Sequence, residues 1–252
     1  MRADQLLVER GMAASRPQAA RLTAGGVRWR TGGDGAWRAV TKNGDELPEA
    51  AVLDVTDAAQ MRYVSRGGLK LEGALAVASV DPGGKRCLDV GQSTGGFTDS
   101  LLQHGAAQVV GIDVGHGQLN ERMRADARVT CIEKVNARAL APADFTGSGD
   151  SGAPFDLIVG DLSFISLTLV LPALLPFLAP GGTVLMLVKP QFELQPGQIG
   201  KGGIVRDPGL YAQVEQRLRE ACKALGLRVL GWHGSAIAGG DGNREFFIHA
   251  AR

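Results

Sequence analysis

A short apolar run followed by a glycine-rich turn constrains this 252-residue chain more than any other feature. Residues 87–90 have the pattern of a buried strand, and a helix is expected to begin near Phe97. Between them, Gly91, Gly95 and Gly96 allow a sharp turn and a close approach of the backbone to a ligand, which a Cβ would block. The segment therefore predicts an open α/β sheet with a ligand site at this turn.

Two acidic residues end the strands on either side of the turn. Asp89 lies at the end of the first predicted strand, and Asp113 ends the next one, residues 107–113. A carboxylate about twenty residues beyond the first strand is at the spacing that binds a ribose.

Three ligand chemistries compete for this turn. A nicotinamide dinucleotide site needs G-x-G-x-x-G, but Ser93 stands in place of the second glycine. Residues 91–95 match the G-x-S-x-G nucleophile elbow, yet no histidine precedes His104 and no HGGG-like oxyanion segment exists. A site for S-adenosylmethionine (SAM), where an acid precedes the glycine turn and no pyrophosphate is bound, fits best. A purely structural strand–turn–helix is the remaining alternative.

The charge is uneven along the chain. Net charge is +1, but residues 1–30 hold six arginines against Asp4 and Glu9. A basic N-terminal module beside a near-neutral body indicates a polyanionic partner, the alternative being an ordinary solvated surface. We expect Arg16, Arg21, Arg28 and Arg30 to form one basic face for phosphates.

Cysteine and histidine usage indicates a reduced compartment and no metal site. The three cysteines are far apart and form no C-x-x-C, and the four histidines lack metal-ligand spacing. The N-terminal residues include acids and no apolar run, so no signal peptide is expected. The chain is predicted to be cytoplasmic. Residues 162–179 have the length of a membrane span, but Pro172 and Pro176 interrupt this region and Pro180 follows it. A strand end, a loop and a short helix explain it better.

The order of elements predicts a doubly wound sheet. Seven strands are expected at residues 85–90, 107–113, 128–133, 155–159, 183–188, 227–232 and 245–250. Repeated strand–helix–strand units make this sheet mostly parallel with right-handed crossovers, and the last strand is interpreted as an antiparallel edge. The glycine-rich segment 191–206 is interpreted as a mobile lid over a site.

Four charged residues recur at the ends of these elements, namely Lys70, Asp161, Lys189 and Glu245. If the last strand is antiparallel, all four can converge at the carboxyl edge of the sheet. A lysine acts as a base only where nearby positive charge or desolvation disfavours its ammonium form. Lys70 and the SAM sulfonium would supply that positive charge beside Lys189. Asp161 and Glu245 would orient the two amines. The alternative is four separate, solvated strand-end charges.

The first 60 residues resemble the S4-like RNA-binding domain. The matching positions are Arg2, Asp4, Leu6, Leu7, Gly11, Ser15, Arg16, Ala19, Gly25 and Val27. The Val-Asn-Gly end of that motif is absent, and a glycine-rich hairpin at residues 31–35 takes its place. The resemblance implies an RNA-binding head, with Arg2, Arg16, Arg21 and Arg28 as its RNA contacts.

The Lys-Asp-Lys-Glu set, with its flanking residues, resembles FtsJ-type ribose 2′-O-methyltransferases. These flanking motifs lie at residues 65–71, 89–91, 160–166, 188–192 and 242–247. Joined to an S4-like head, the whole chain is similar to the TlyA family, which has been labelled both hemolysin and ribosomal RNA methyltransferase. The resemblance implies methylation of cytidine 2′-hydroxyls in ribosomal RNA of one or both subunits, with SAM as cofactor. It implies neither a DNA partner nor a membrane span.

Together these observations predict a Rossmann-like α/β SAM-dependent methyltransferase domain with a mostly parallel seven-stranded sheet. Residues 1–60 are the S4-like α+β domain, 61–68 a linker and 69–252 the methyltransferase domain. By the same resemblance, Asp113 would hold the SAM ribose and residues 133–136 the adenine. The SAM-binding set is Asp89, Gly91, Ser93, Gly95, Gly96, Phe97, Asp113, Asn136 and Asp161. Alternative functions are a pore-forming cytolysin and a non-catalytic RNA-binding assembly factor.

Overall fold

The computed structural model describes residues 1–13, 15–32, 35–55, 62–150 and 152–252. They form two compact units, Met1–Arg66 and Gly67–Arg252, called unit 1 and unit 2 below. The end of the first predicted domain and the first residue of the predicted linker, positions 56–61, lie outside the described residues.

Unit 1 contains two helices and a three-stranded antiparallel sheet. Its elements are α1 (Ala3–Glu9), α2 (Arg16–Gly26), β1 (Val27–Thr31), β2 (Arg38–Ala39) and β3 (Ala51–Val55). The strand order is β2-β1-β3. Ser15 caps α2 by accepting a hydrogen bond from the N–H of Gln18, and Leu6, Leu7 and Leu22 are buried in the core of the unit.

A buried carboxylate joins the two helices of unit 1. Asp4 is 4 % exposed, and it accepts hydrogen bonds from Arg2 at 3.0 Å and from Arg16 at 2.8 Å. The hydrogen bond from Arg2, and then that from Arg16, lowers the pKa of Asp4 to about 2. Two of the arginines predicted to bind RNA are therefore also structural, because they compensate a charge that folding removes from water.

The large sheet of unit 2 has seven strands, as the sequence predicts. They are β4 (Arg86–Val90), β5 (Gln108–Asp113), β6 (Val129–Glu133), β7 (Phe155–Gly160), β8 (Leu178–Val188), β9 (Arg228–Gly234) and β10 (Phe246–Ala251). The order is β6-β5-β4-β7-β8-β10-β9, in which the first five strands are parallel to one another and β10 is antiparallel to β8 and β9. This confirms the predicted α/β class with a mostly parallel sheet.

Helices connect the strands of unit 2. They are α3 (Gly67–Ala78), α4 (Gly96–Gln103), α5 (Glu121–Ala125), α6 (Leu167–Leu174), α7 (Pro190–Glu193) and α8 (Pro208–Ala224). A large hydrophobic cluster joins apolar side chains of these strands with the buried faces of α6 and α8. No helix among the described residues has both the length and the apolar character needed to span a bilayer.

Two details of the strand prediction were wrong, namely the start of one strand and the position of another. The strand expected at residues 183–188 begins at Leu178, because the chain enters the sheet immediately after a short 3-10 helix, and Gly181 and Gly182 lie within the strand. The last strand, β10, is not an edge: it lies between β8 and β9, and β9 forms the edge. Five buried residues out of six in β10 explain this position, since an inner strand is covered on both faces.

We expect Asp4→Asn to destabilise unit 1 by about 2 kcal/mol at pH 7, because hydrogen bonds to a buried charge are lost. The pKa of Asp4 is lowered from 3.8 to about 2, so its contribution is present above pH 3.8 and is lost as the pH falls towards 2. Hydrogen exchange of peptides from residues 1–55 measures this difference between wild type and variant. Glu9→Gln on the exposed side of α1 is the control. A difference that stays constant between pH 6 and pH 2 would contradict the prediction.

Candidate active site

Four charged side chains from distant segments meet at the carboxyl edge of the large sheet. Asp161 directly follows β7, Lys189 follows β8, and Lys70 lies in the first turn of α3. Glu245 directly precedes β10. Because β10 is antiparallel to β8, its start lies at the same edge as the end of β8. The structure therefore brings together the four residues that the sequence analysis assigned to catalysis.

Asp161 is shared between two ammonium groups. The Nζ atom of Lys189 lies 2.6 Å from Oδ1 of Asp161 and donates a hydrogen bond to Oγ of Ser163 at 2.8 Å. The Nζ atom of Lys70 lies 4.0 Å from Oδ2 of Asp161 and 2.5 Å from Oε2 of Glu245. The two lysines are thus held on one carboxylate, and a second carboxylate fixes Lys70.

The Lys70–Glu245 pair is the buried part of this cluster. Lys70 is 8 % exposed and Glu245 is 4 % exposed. Burial raises the pKa of Glu245, although the Lys70 ammonium opposes this shift. A buried pair has little freedom to rearrange, so it presents Lys70 to Asp161 in one geometry.

The glycine turn contacts the segment that carries Asp161. Gly91 has φ +82°, and a Cβ at this position would lie 2.9 Å from the backbone oxygen of Asp161. The N–H of Asp161 in turn donates to the carbonyl of Val90. Gly95, with φ +91°, is the N-cap of α4, and Gly96 is the first residue of that helix. Gly91 and Gly95 are therefore required both by backbone conformation and by space, since a Cβ at Gly95 would lie 2.8 Å from the Leu119 side chain.

Asp113 holds the turn from the neighbouring strand. Its two carboxylate oxygens accept hydrogen bonds from the N–H groups of Ser93, at 2.8 Å, and Gly115, at 2.7 Å. The N–H of Val135 donates to the backbone carbonyl of Asp113, so the predicted adenine region lies beside this strand end. Asn136 is exposed there, and its side-chain oxygen accepts a hydrogen bond from the N–H of Arg138.

Asp89 is completely buried under the turn. Its Oδ2 accepts a hydrogen bond from Oγ1 of Thr98 at 2.7 Å, and its Oδ1 is a buried atom without a hydrogen-bond partner. Burial is the largest cause that raises the pKa of Asp89 to about 7, and the nearby carboxylates of Asp161 and Asp113 add to it. Three carboxylates thus surround one glycine turn.

These residues fit SAM. The methyl donor carries a positive sulfonium, an ammonium group and ribose hydroxyls, which match a turn bordered by Asp89, Asp113 and Asp161. At Gly91 the missing Cβ lets the turn pack directly against the backbone of Asp161, which brings that carboxylate next to the turn. Carboxylates stabilise a bound cation and accept hydrogen bonds from its hydroxyl groups.

One predicted SAM contact has a side chain that packs in the core instead. Phe97 is 3 % exposed, and its ring stacks on that of Phe247 in β10 with centroids 6.1 Å apart. It lies on the inward face of α4, where an aromatic side chain contributes most as core packing.

The sequence analysis also missed side chains that support the site. Ser163 was part of a recognised motif but was not assigned a role, and Gln92, which donates to Thr98, is buried beside Gly111.

An aromatic pair borders the charged cluster. Phe164 follows Ser163, has φ +64° and is 89 % exposed. Its ring packs against Phe192 of α7 at a centroid distance of 4.9 Å. A non-glycine residue in the left-handed region is uncommon, and it presents this ring to solvent next to Asp161.

Comparison with known proteins identifies the family. Residues 63–252 match the model of the FtsJ-like methyltransferase family. The chain belongs to this family. It is 44 % identical to the 16S/23S rRNA (cytidine-2′-O)-methyltransferase TlyA of Mycobacterium tuberculosis, over 98 % of this chain and 88 % of that protein. It is 35 % identical to Hemolysin A of Brachyspira hyodysenteriae, over 99 % of both chains.

Two solved structures share the fold of this chain. A candidate hemolysin from Streptococcus thermophilus superposes with a TM-score of 0.76 at 40 % identity, covering 100 % of this chain and 88 % of that one. A SAM-dependent methyltransferase from Listeria monocytogenes shares the fold, with a TM-score of 0.53 at 14 % identity over 73 % of this chain and 99 % of its own. As a member of the FtsJ-like methyltransferase family, this chain is an enzyme, and SAM is its methyl donor.

Gly91→Ala tests the contact between the glycine turn and Asp161. We expect it to weaken SAM binding at least about tenfold for two reasons. The new Cβ would clash with the backbone of Asp161, and the φ of +82° is unfavourable for alanine. Gly84→Ala is the matched control, since Gly84 has φ +68° and a Cβ there would meet nothing within 4 Å. Isothermal titration with SAM measures both. Equal affinities for the two variants would show that close packing at Gly91 is unimportant.

Proposed function

We propose that this chain transfers the methyl group of SAM to the ribose 2′-hydroxyl of cytidine in ribosomal RNA. The observation that carries the proposal is the Asp161 carboxylate shared between Lys70 and Lys189, directly beside the glycine turn. A ribose hydroxyl is a weak nucleophile, and it needs a base that takes its proton near the moment of attack. The Asp161 carboxylate fixes the position of the Lys189 Nζ atom, and the unprotonated form of that amine is proposed to take the proton.

Each member of the cluster has a distinct proposed task. Lys189, in its unprotonated amine form, accepts the proton of the 2′-hydroxyl at its Nζ atom and becomes the ammonium that pairs with Asp161. Asp161 and Ser163 orient that atom through contacts of 2.6 and 2.8 Å. Lys70 shares the charge of Asp161, and Glu245 holds Lys70 in place. SAM, when bound, supplies an electrophilic methyl group on a sulfonium. Since the transfer is an in-line displacement, correct placement of the hydroxyl provides much of the rate.

Unit 1 is proposed to be an S4-like RNA-binding domain. Arg2 and Arg16 keep about half of their side-chain surface exposed, 48 % and 56 %, while they pair with Asp4. Arg28 pairs with Asp54 at 2.6 Å and also lies over the ring of Trp37, 4.7 Å from its centroid. Guanidinium groups held in this way remain able to contact phosphates. The side chain of Arg21 lies outside the described part of the chain.

Two features support RNA as the substrate of unit 2. The exposed ring of Phe164 is available to stack on an unpaired base beside the charged cluster. The relative from Mycobacterium tuberculosis is named for cytidine 2′-O-methylation of 16S and 23S rRNA, which favours the same substrate here. We therefore propose ribosomal RNA or ribosomal subunits as the partner and the cytoplasm as the place of action.

A pore-forming function is the second candidate, favoured only by relatives named hemolysin. An RNA-binding assembly factor without catalysis is the third. A cytolysin releases dye from vesicles whether or not Lys189 is intact. An assembly factor keeps its biological activity when Lys189 is replaced. The ribose methyltransferase proposal requires that the protein releases no dye from vesicles. It also requires that replacement of Lys189 abolishes the biological activity.

Lys189→Met tests the proposed base. Ribosomal subunits are incubated with methyl-labelled SAM, and the RNA is digested to nucleosides. For the wild type, we expect the label in 2′-O-methylcytidine. For Lys189→Met, the rate should fall at least about a hundredfold because no base remains. Lys201→Met is the control, because Lys201 is an exposed lysine that also lies between β8 and α8. This variant should retain the wild-type rate.

Label in a base-methylated nucleoside from the wild type would refute ribose methylation. Wild-type transfer by Lys189→Met would show that this lysine is not the base.

The double variant Arg16→Gln with Arg28→Gln tests the proposed RNA-binding face of unit 1. We expect weaker RNA binding and a slope of log affinity against log salt that is smaller by about 1.5, because two phosphate contacts are lost. SAM affinity should stay unchanged. Arg219→Gln, an arginine of α8 in an ion pair with Glu215, is the control. Filter binding from about 50 to 300 mM salt measures the slopes, and an unchanged slope would remove these arginines from the interface.

A further inference from the structure

Two segments carry Asp161 and Lys189 of the catalytic cluster, and they must be held at a fixed separation. Segment 161–167 follows β7 and bears Asp161, while segment 189–193 follows β8 and bears Lys189. The ion pair between these two residues spans the gap at one end. The rings of Phe164 and Phe192, which pack at an interplanar angle of 46°, span it in the middle.

Glu193 spans the gap at the far end. Its side chain accepts a hydrogen bond from Oγ of Ser166 at 2.6 Å and another from the N–H of Leu167 at 2.7 Å. Ser166 is the N-cap of α6 and Leu167 is the first residue of that helix. The carboxylate therefore binds directly to the start of the helix that follows segment 161–167.

Glu193 is a buried carboxylate bound by hydrogen bonds from Ser166 and Leu167, and the charge of Arg217 acts on it as well. It is 3 % exposed, and burial raises its pKa, while the hydrogen bonds from Ser166 and Leu167 oppose this shift. Arg217 contacts the same residue, but through the backbone carbonyl of Glu193, at 2.6 Å. Burial of a carboxylate is costly, and here it serves a contact between two site-bearing segments.

We propose that Glu193 is a positioning residue that keeps the Lys189 segment in register with the Asp161 segment. The inference rests on the proposed function, since it assigns Glu193 to the same reaction. Glu193 touches neither reacting group. It acts through the two segments, so its loss should lower the rate of methyl transfer more than the binding of either substrate.

Two substitutions separate geometry from charge. Glu193→Ala removes both hydrogen bonds. Glu193→Gln can keep them, because its amide oxygen accepts from the N–H of Leu167 and its amide nitrogen donates to Ser166. The Ser166 hydroxyl can then donate to Oγ1 of Thr168, which lies 2.8 Å away. Glu220→Ala, at an exposed carboxylate of α8, is the matched control.

We expect Glu193→Ala to lower kcat per SAM-binding site by about 10- to 100-fold, with SAM Kd and RNA KM within about threefold of wild type. Glu193→Gln should restore kcat to within about threefold, and Glu220→Ala should match wild type. SAM titration counts intact sites, so a loss of folded protein is not scored as a loss of rate. If kcat per site is unchanged in Glu193→Ala, or if Glu193→Gln is as slow as Glu193→Ala, the positioning role is wrong.

An NMR measurement tests the same inference without catalysis. Lysine ammonium groups held in ion pairs give ¹⁵N-resolved signals, and Lys189→Met identifies the signal of Lys189. This signal should persist in Glu193→Gln and be lost or shifted in Glu193→Ala. An unchanged Lys189 signal in Glu193→Ala would overturn the inference. If the wild type methylates no RNA, the proposed function fails while this measurement still decides whether Glu193 positions Lys189.

Discussion

One carboxylate shared by two lysines is the interaction on which the site depends. Asp161 lies between Lys189, at 2.6 Å, and Lys70, at 4.0 Å, and its backbone contacts the glycine turn. Any shift of Asp161 would therefore change the positions of the proposed base and of the turn together. The remaining parts of the site, including Glu245 and Ser163, fix the partners of this carboxylate rather than add a separate function.

The topology of the sheet makes this arrangement possible. Parallel strands β7 and β8 deliver Asp161 and Lys189 to one edge, as parallel strands do in open α/β folds. Glu245 arrives from the opposite chain direction, because β10 is inserted antiparallel beside β8. The buried pair of Lys70 and Glu245 then connects the helix that precedes the sheet to its last strand. The site thus depends on residues near the first and the last positions of unit 2 in the sequence.

The sequence predicts this edge well because strand ends are marked by local patterns. The acids Asp89 and Asp113 and the glycines of the turn follow from backbone sterics and spacing, which are local properties. The exact place of β10 depends on burial by distant residues, so the prediction of an edge strand failed. The packing of Phe97 was missed for the same reason, because its partner Phe247 is about 150 residues away in sequence. No periodic pattern in the sequence predicts the contacts of Glu193 or the pairing of Asp4 with two arginines.

A double-mutant cycle on single-turnover methyl transfer tests the shared carboxylate most directly. Rates are measured for wild type, Lys189→Met, Asp161→Asn and the double variant, at saturating SAM and RNA. If Asp161 acts by holding Lys189, the double variant should be no slower than the slower single variant, because the two residues work as one unit. If the two losses multiply in the double variant, Asp161 and Lys189 act independently, and the central role of the shared carboxylate is contradicted.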